Sequence, residues 1–131
     1  MWKLLERIEA RAQDDRDEAW LQSLIFEHPE VLPVAYFDEV YSPAIPVGRE
    51  IETSSGYIDN LYVSPRGGII IVETKLWSNP EKHRTVVAQI IDYAKELSKW
   101  NYDQLNAAIL KAARVENVEH KRSLEQIISP L

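Results

Sequence analysis

The chain has 131 residues, a length that suits one domain with one modest core. It has no cysteine and only three scattered histidines, which excludes disulfides and thiolate sites and argues against a zinc centre. The net charge of −6 argues against indiscriminate coating of nucleic acid; residues 1–65 carry five basic and thirteen acidic side chains, residues 66–131 ten basic and eight acidic.

Residues 2–13 read as an amphipathic helix, with Trp2, Leu5, Ile8 and Ala12 on one stripe. Asp14 and Asp15 interrupt it, and a second helix is expected over residues 17–27 with Trp20, Leu21, Leu24 and Ile25 as its apolar face. Glu18 stands near the start of that helix, where the helix dipole alone favours a carboxylate. His28-Pro29 and Leu32-Pro33 mark turns. Residues 40–51 read as extended, with Pro43 and Pro46 pointing to an irregular or edge strand. Residues 50–56 form a loop or hairpin into the next strand.

The most informative stretch follows. Gly56-Tyr-Ile-Asp-Asn-Leu-Tyr-Val and Ile69-Ile-Ile-Val are apolar strands around a Pro65-Arg-Gly-Gly turn. With the hairpin centred near Arg66, Asp59 and Glu73 fall opposite each other, ~5 Å apart at Cβ. Glu73 and Lys75 share a face by strand alternation. The continuous run Ile69–Val72 suits a strand covered on both faces, so these charges stand at the rim of a core. Three readings stay open at this point. The strand has ended and the charges are solvated; or Lys75 forms a structural salt bridge with Asp59 or Glu73; or a divalent cation with oxygen ligands lies between the carboxylates.

Asn79-Pro80-Glu81 is a helix start, and the helix is expected to run to about residue 100 with Val86, Val87, Ile90, Ile91, Ala94 and Leu97 buried. Gln89 and Tyr93, four apart, stack on one side of it; read singly, they are a solvated helix position and a core-edge aromatic. Residues 102–116 read as a further helix, with Leu105, Ile109 and Ala112 at helical spacing, and residues 117–131 as a helix or tail. The order of elements gives an α/β sandwich around a mixed sheet. The apolar end Ile127-Ile128-Ser-Pro-Leu suggests a homodimer contact or a following C-terminal domain. No run of eighteen apolar residues and no signal-peptide pattern are present, so no membrane span and a cytoplasmic setting are expected.

Taken together, Gly-x-x-Asp (Gly56 to Asp59), Glu-x-Lys (Glu73 to Lys75) ending an apolar strand, and Gln-x-x-x-Tyr (Gln89 to Tyr93) on the following helix resemble the PD-(D/E)XK nuclease superfamily. The similarity is to its branch with a helix-borne Gln-x-x-x-Tyr motif, and residues 18–33 resemble the first helix of archaeal mismatch-endonuclease-like members. Ile58 precedes the Asp where the name-giving motif has Pro.

The resemblance implies a single restriction-endonuclease-like domain over residues 1–131, with a mixed central sheet of four or five strands flanked by helices. A late parallel strand would normally follow the Gln89 helix, yet no segment after Trp100 reads as one except residues 115–120. The implied activity is Mg²⁺- or Mn²⁺-dependent hydrolysis of DNA, with RNA as the alternative substrate. Asp59 and Glu73 would bind the metal, with the Thr74 carbonyl and Glu18 completing its shell. Lys75 would orient or deprotonate the attacking water, Gln89 would hold Lys75 or that water, and Tyr93 would lie at the substrate edge. Arg66, Lys82 and Arg84 are candidate phosphate contacts, the last two at the positive end of the Gln89 helix. A reading from another class is a catalytically silent nuclease-fold binding or sensor domain acting with a partner domain.

Overall fold

The computed structural model describes residues 18–75, 80–115 and 125, with the side chains of residues 80–83 and 115 outside that description. The helix expected over residues 2–13 and nearly all of the expected C-terminal helix or tail lie outside the described residues.

Helix α1 (Glu18–Glu27) stops just before His28-Pro29, because a proline disfavours helical backbone in the residue before it. A 3₁₀ turn (Pro29–Val31), a single helical turn α2 (Val34–Phe37) and a second 3₁₀ turn (Glu39–Tyr41) follow. Asp38 accepts the Val40 N–H and so starts the last of these, which is why the strand begins later than residue 40. Strands β1 (Ile45–Thr53), β2 (Gly56–Val63) and β3 (Ile69–Val72) then form one antiparallel sheet in the order β1-β2-β3. Two helices close the described chain, α3 (Pro80–Leu97) and α4 (Tyr102–Val115).

The sheet is covered on both faces. Leu21 and Ile25 of α1 pack with Ala44 and Tyr62, joined by half-buried Ile70 and Val72. Tyr93 and Leu97 of α3 and Ile109 and Ala112 of α4 pack with Val47, Ile51, Ile58, Leu61 and Val63, joined by Ile71. The apolar run of β3 is therefore divided by strand alternation between two cores. Each fully buried Ile or Leu here contributes about 1.5–3 kcal/mol.

Among the described residues the sheet has three strands, all paired antiparallel; residues 116–120, most of the segment that offers a late parallel strand, lie outside the described residues. Asn101 and Gln104 exchange side-chain and backbone bonds as a reciprocal cap, and Leu105, Ile109 and Ala112 then turn one face of α4 inward, against β1. That segment covers the sheet as a helix instead of extending it. The domain is α/β, with helices on both sides of three strands.

Candidate functional site

One step beyond the Asn60–Val72 pair, Glu73 stands opposite Asp59. The two are joined through backbone rather than head to head. Glu73 Oε1 accepts the Asp59 N–H at 2.9 Å. Asp59 Oδ2 accepts both the N–H and the hydroxyl of Thr74, each at 2.9 Å. These bonds extend the β2–β3 pairing past the last regular pair, which explains why Glu73 and Thr74 hold strand register without being strand.

A third carboxylate joins from the other side. Between the pairs Arg49–Asn60 and Ile51–Ile58, Glu50 stands opposite Asp59 on β1. Its φ of 52° is left-handed backbone, a conformation that costs a non-glycine residue about 1–2 kcal/mol. The strain coincides with a break in alternation: Ile58 and Leu61 would face opposite ways in a regular strand, yet both belong to the same core. Gln22 of α1 links the pair, its Nε2 donating to Glu50 Oε1 at 3.0 Å and to the Asp59 carbonyl at 2.8 Å. Glu50, Asp59 and Glu73 thus form a row across β1, β2 and the end of β3.

The row has electrostatic consequences. Burial pushes the Glu73 carboxyl up to about 7, with the Asp59 N–H opposing the shift; the Asp59 and Glu50 charges add to it and Lys75 opposes it. Burial also raises the Tyr93 hydroxyl, helped by Glu73 and then by Asp59 and Glu50, against the Gln89 hydrogen bond. Lys75 is half-buried, and among the described residues it forms no ion pair within 4 Å.

Gln89 and Tyr93 are tied to Gly56. Gln89 Nε2 donates to the Tyr93 hydroxyl at 2.8 Å, and that hydroxyl donates to the Tyr57 carbonyl at 3.0 Å. A Cβ on Gly56 would stand 3.0 Å from the Tyr93 oxygen, at a φ of +128° that side chains avoid. The glycine of Gly-x-x-Asp thus makes room for the tyrosine of Gln-x-x-x-Tyr. The resemblance puts Tyr93 at a substrate edge and turns Gln89 toward Lys75 or a water. Here the ring is 0 % exposed in the core, and the Gln89 amide bonds the Tyr93 hydroxyl.

The remaining candidates are spread more widely. Glu18 is half-buried in the first turn of α1, one turn before Gln22 and on the same stripe. Thr74 is buried, with its N–H and hydroxyl both given to Asp59. Arg66 is exposed in the β2–β3 turn, at the other end of the hairpin from Asp59; ~13 Å of strand separates the last pair before the turn from Asp59. Arg84 is exposed on α3, and the Lys82 side chain lies outside the described residues.

The donor set is hard oxygen, the type that suits Mg²⁺ or Mn²⁺. A cation beside the row would favour the ionised Glu73 carboxylate, which burial first and the Asp59 and Glu50 charges second disfavour. Among the described residues no three acidic or histidine side chains are gathered around one point. Mg²⁺ binds through one or two carboxylates with water filling the rest, so the residues fit the ion in chemistry, with Asp59 Oδ1 and Glu73 Oε2 outside the bonds described above.

Glu50 and Gln22 escape sequence reasoning. The signal for Glu50 was present: Thr53-Ser-Ser-Gly56 makes a tight turn, and counting back from it in register sets Glu50 against Asp59. Gln22 gives no signal, because a glutamine among α1's apolar residues reads as a solvated position, whereas it is only 7 % exposed. In comparisons with known proteins, no family model, no curated protein and no solved structure matches the chain.

Proposed function

We propose that this domain is a divalent-metal-dependent nuclease of the restriction-endonuclease-like kind, hydrolysing phosphodiester bonds of DNA. The observation that carries the reading is the cross-strand meeting of Asp59 and Glu73 at the rim of the sheet, with Lys75 close enough to Glu73 to act on its carboxyl. Asp59 and Glu73 would hold Mg²⁺ or Mn²⁺, with Glu18 and the Thr74 carbonyl as further oxygen donors. When bound, the ion supplies Lewis-acid stabilisation of the phosphate and a more acidic water.

The chain's own groups do the rest. The Lys75 ammonium offsets negative charge as it builds on the phosphate oxygens and orients the attacking water. That water gives up a proton to solvent as it forms the new P–O bond, while the bond to the leaving oxygen breaks and that oxygen takes up a proton from solvent. Thr74 keeps the Asp59 carboxylate turned toward the end of β3 through two donated bonds. Tyr93 and Gln89 act from beneath, fixing the Tyr57 carbonyl two residues before Asp59. Arg84 and Lys82, in the first turns of α3, would contact phosphates without reading sequence.

One observation favours a second reading, a binding domain without catalysis. Glu73 Oε1 and Asp59 Oδ2 are already engaged by protein donors, as they would be in a purely structural cross-strand clasp. Calorimetric titration with Mn²⁺ separates the two readings. The nuclease reading expects a site lost in Asp59→Ala and retained in Lys75→Ala; no binding to the wild type favours the clasp.

A further inference from the structure

We infer that Gln22 is the positioning residue of this site and that Glu50 is its third carboxylate, the two being set together by the docking of α1 on the sheet. The inference rests on the reading of Asp59 and Glu73 as the functional carboxylates. One side-chain amide, Gln22 Nε2, donates to both the Glu50 carboxylate and the Asp59 carbonyl, at 3.0 and 2.8 Å. The same residue's backbone carbonyl accepts from Asn60 Nδ2 at 3.0 Å, and Asn60 is fully buried. Gln22 therefore grips β2 on both sides of the Asp59–Asn60 peptide while holding the side chain of the facing strand.

A glutamine that is 7 % exposed has few partners to exchange, so these bonds are fixed by packing. Glu50 is exposed despite the bond, which leaves its carboxylate open to a ligand from solvent. Its left-handed backbone brings it into line with Asp59, and its charge reaches Glu73 and Tyr93 as well. Glu50 then contributes negative charge to cation binding, and Gln22 acts through Glu50 and Asp59 without touching the cation.

The test compares amide hydrogen exchange at Asp59 with that at Ile109, a core position of α4 that reports global opening. Gln22→Met, which keeps the side-chain volume, should accelerate exchange at Asp59 on the order of tenfold beyond any change at Ile109. Glu50→Ala, an exposed substitution, should do so by a few-fold and stands in if Gln22→Met does not fold. In parallel, Mn²⁺ affinity measured by calorimetry should fall several-fold in each variant, and the double variant should lose less than the product of the two losses, because Gln22 acts in part through Glu50. Equal acceleration at both amides, or none at Asp59, overturns the positioning role. Additive losses of Mn²⁺ affinity overturn the coupling of Gln22 to Glu50. Faster exchange at Asp59 in a protein that binds no Mn²⁺ upholds Gln22 as the residue that positions Asp59, overturns the contribution of the Glu50 charge to cation binding, and rejects the metal-dependent activity.

Discussion

Replacing Glu73 by glutamine tests the electrostatics of the carboxylate row without disturbing its shape. A glutamine carbonyl still accepts the Asp59 N–H that Glu73 Oε1 accepts now. The Glu73 carboxyl is pushed up to about 7 from an ordinary value of 4.5, chiefly by burial. The folded chain therefore holds a proton that the unfolded chain has released, and metal-free stability falls as pH rises between those two values. The loss is complete once pH exceeds the folded value. One pKa unit corresponds to 1.36 kcal/mol, so the loss by pH 8 is on the order of 3 kcal/mol. At pH 5 it is under about 1 kcal/mol. Glu73→Gln removes the ionisation and with it the loss. In chelator, by thermal denaturation, the variant should melt above wild type by roughly 10 °C at pH 8 and by a few degrees at pH 5. Saturating Mg²⁺ or Mn²⁺ should raise wild type and narrow the gap at pH 8. A gap that is constant with pH, or a variant less stable than wild type at pH 8, would refute this account of Glu73.

Other substitutions check separate links. Gly56→Ala should cost about 1–3 kcal/mol in chemical denaturation, from left-handed strain and the close Tyr93 oxygen. Adding Tyr93→Phe should recover part of that cost, although alone it costs about 1–2 kcal/mol by removing bonds to Gln89 and the Tyr57 carbonyl. Glu96 accepts the Ser54 N–H with both oxygens, and that backbone bond is the main cause holding its carboxyl below the ordinary range. Its contribution is present above the ordinary carboxylate range and fades as pH falls, so Glu96→Gln should speed Ser54 amide exchange at pH 7 more than at pH 4. If Lys82 and Arg84 contact phosphates, replacing both by alanine should weaken DNA binding for all sequences and flatten its salt dependence, read by anisotropy at two salt concentrations.

The β2–β3 hairpin was legible because its register depends on local turn chemistry and on an apolar run that alternates between two cores. That places Asp59 against Glu73 before any long-range contact is known. The extents of α3 and α4 were legible, and Leu105, Ile109 and Ala112 set the inward face of α4 as their spacing implies, but α3 turns differently from the expected face: Val87, Ile91 and Ala94 are exposed, while Tyr93 and Leu97 are buried. Glu50 was partly legible, since its partner follows from the Ser54-Ser55 turn, but a left-handed φ at a glutamate is visible only in three dimensions. Gln22 was not legible, because its importance comes from what α1 docks against. Tyr93 shows the limit from the other side. Its spacing from Gln89 is plain in the sequence, while its burial against Gly56 depends on how α3 crosses the sheet.

Cleavage of end-labelled DNA by purified protein tests the central claim most directly, with wild type, Asp59→Ala and Lys75→Ala compared in chelator, Mg²⁺ and Mn²⁺. The account predicts cutting by wild type only with a divalent cation, none by Asp59→Ala, and none by Lys75→Ala even though calorimetry shows that variant still binding Mn²⁺. Cutting in chelator, or full activity in Lys75→Ala, would contradict it.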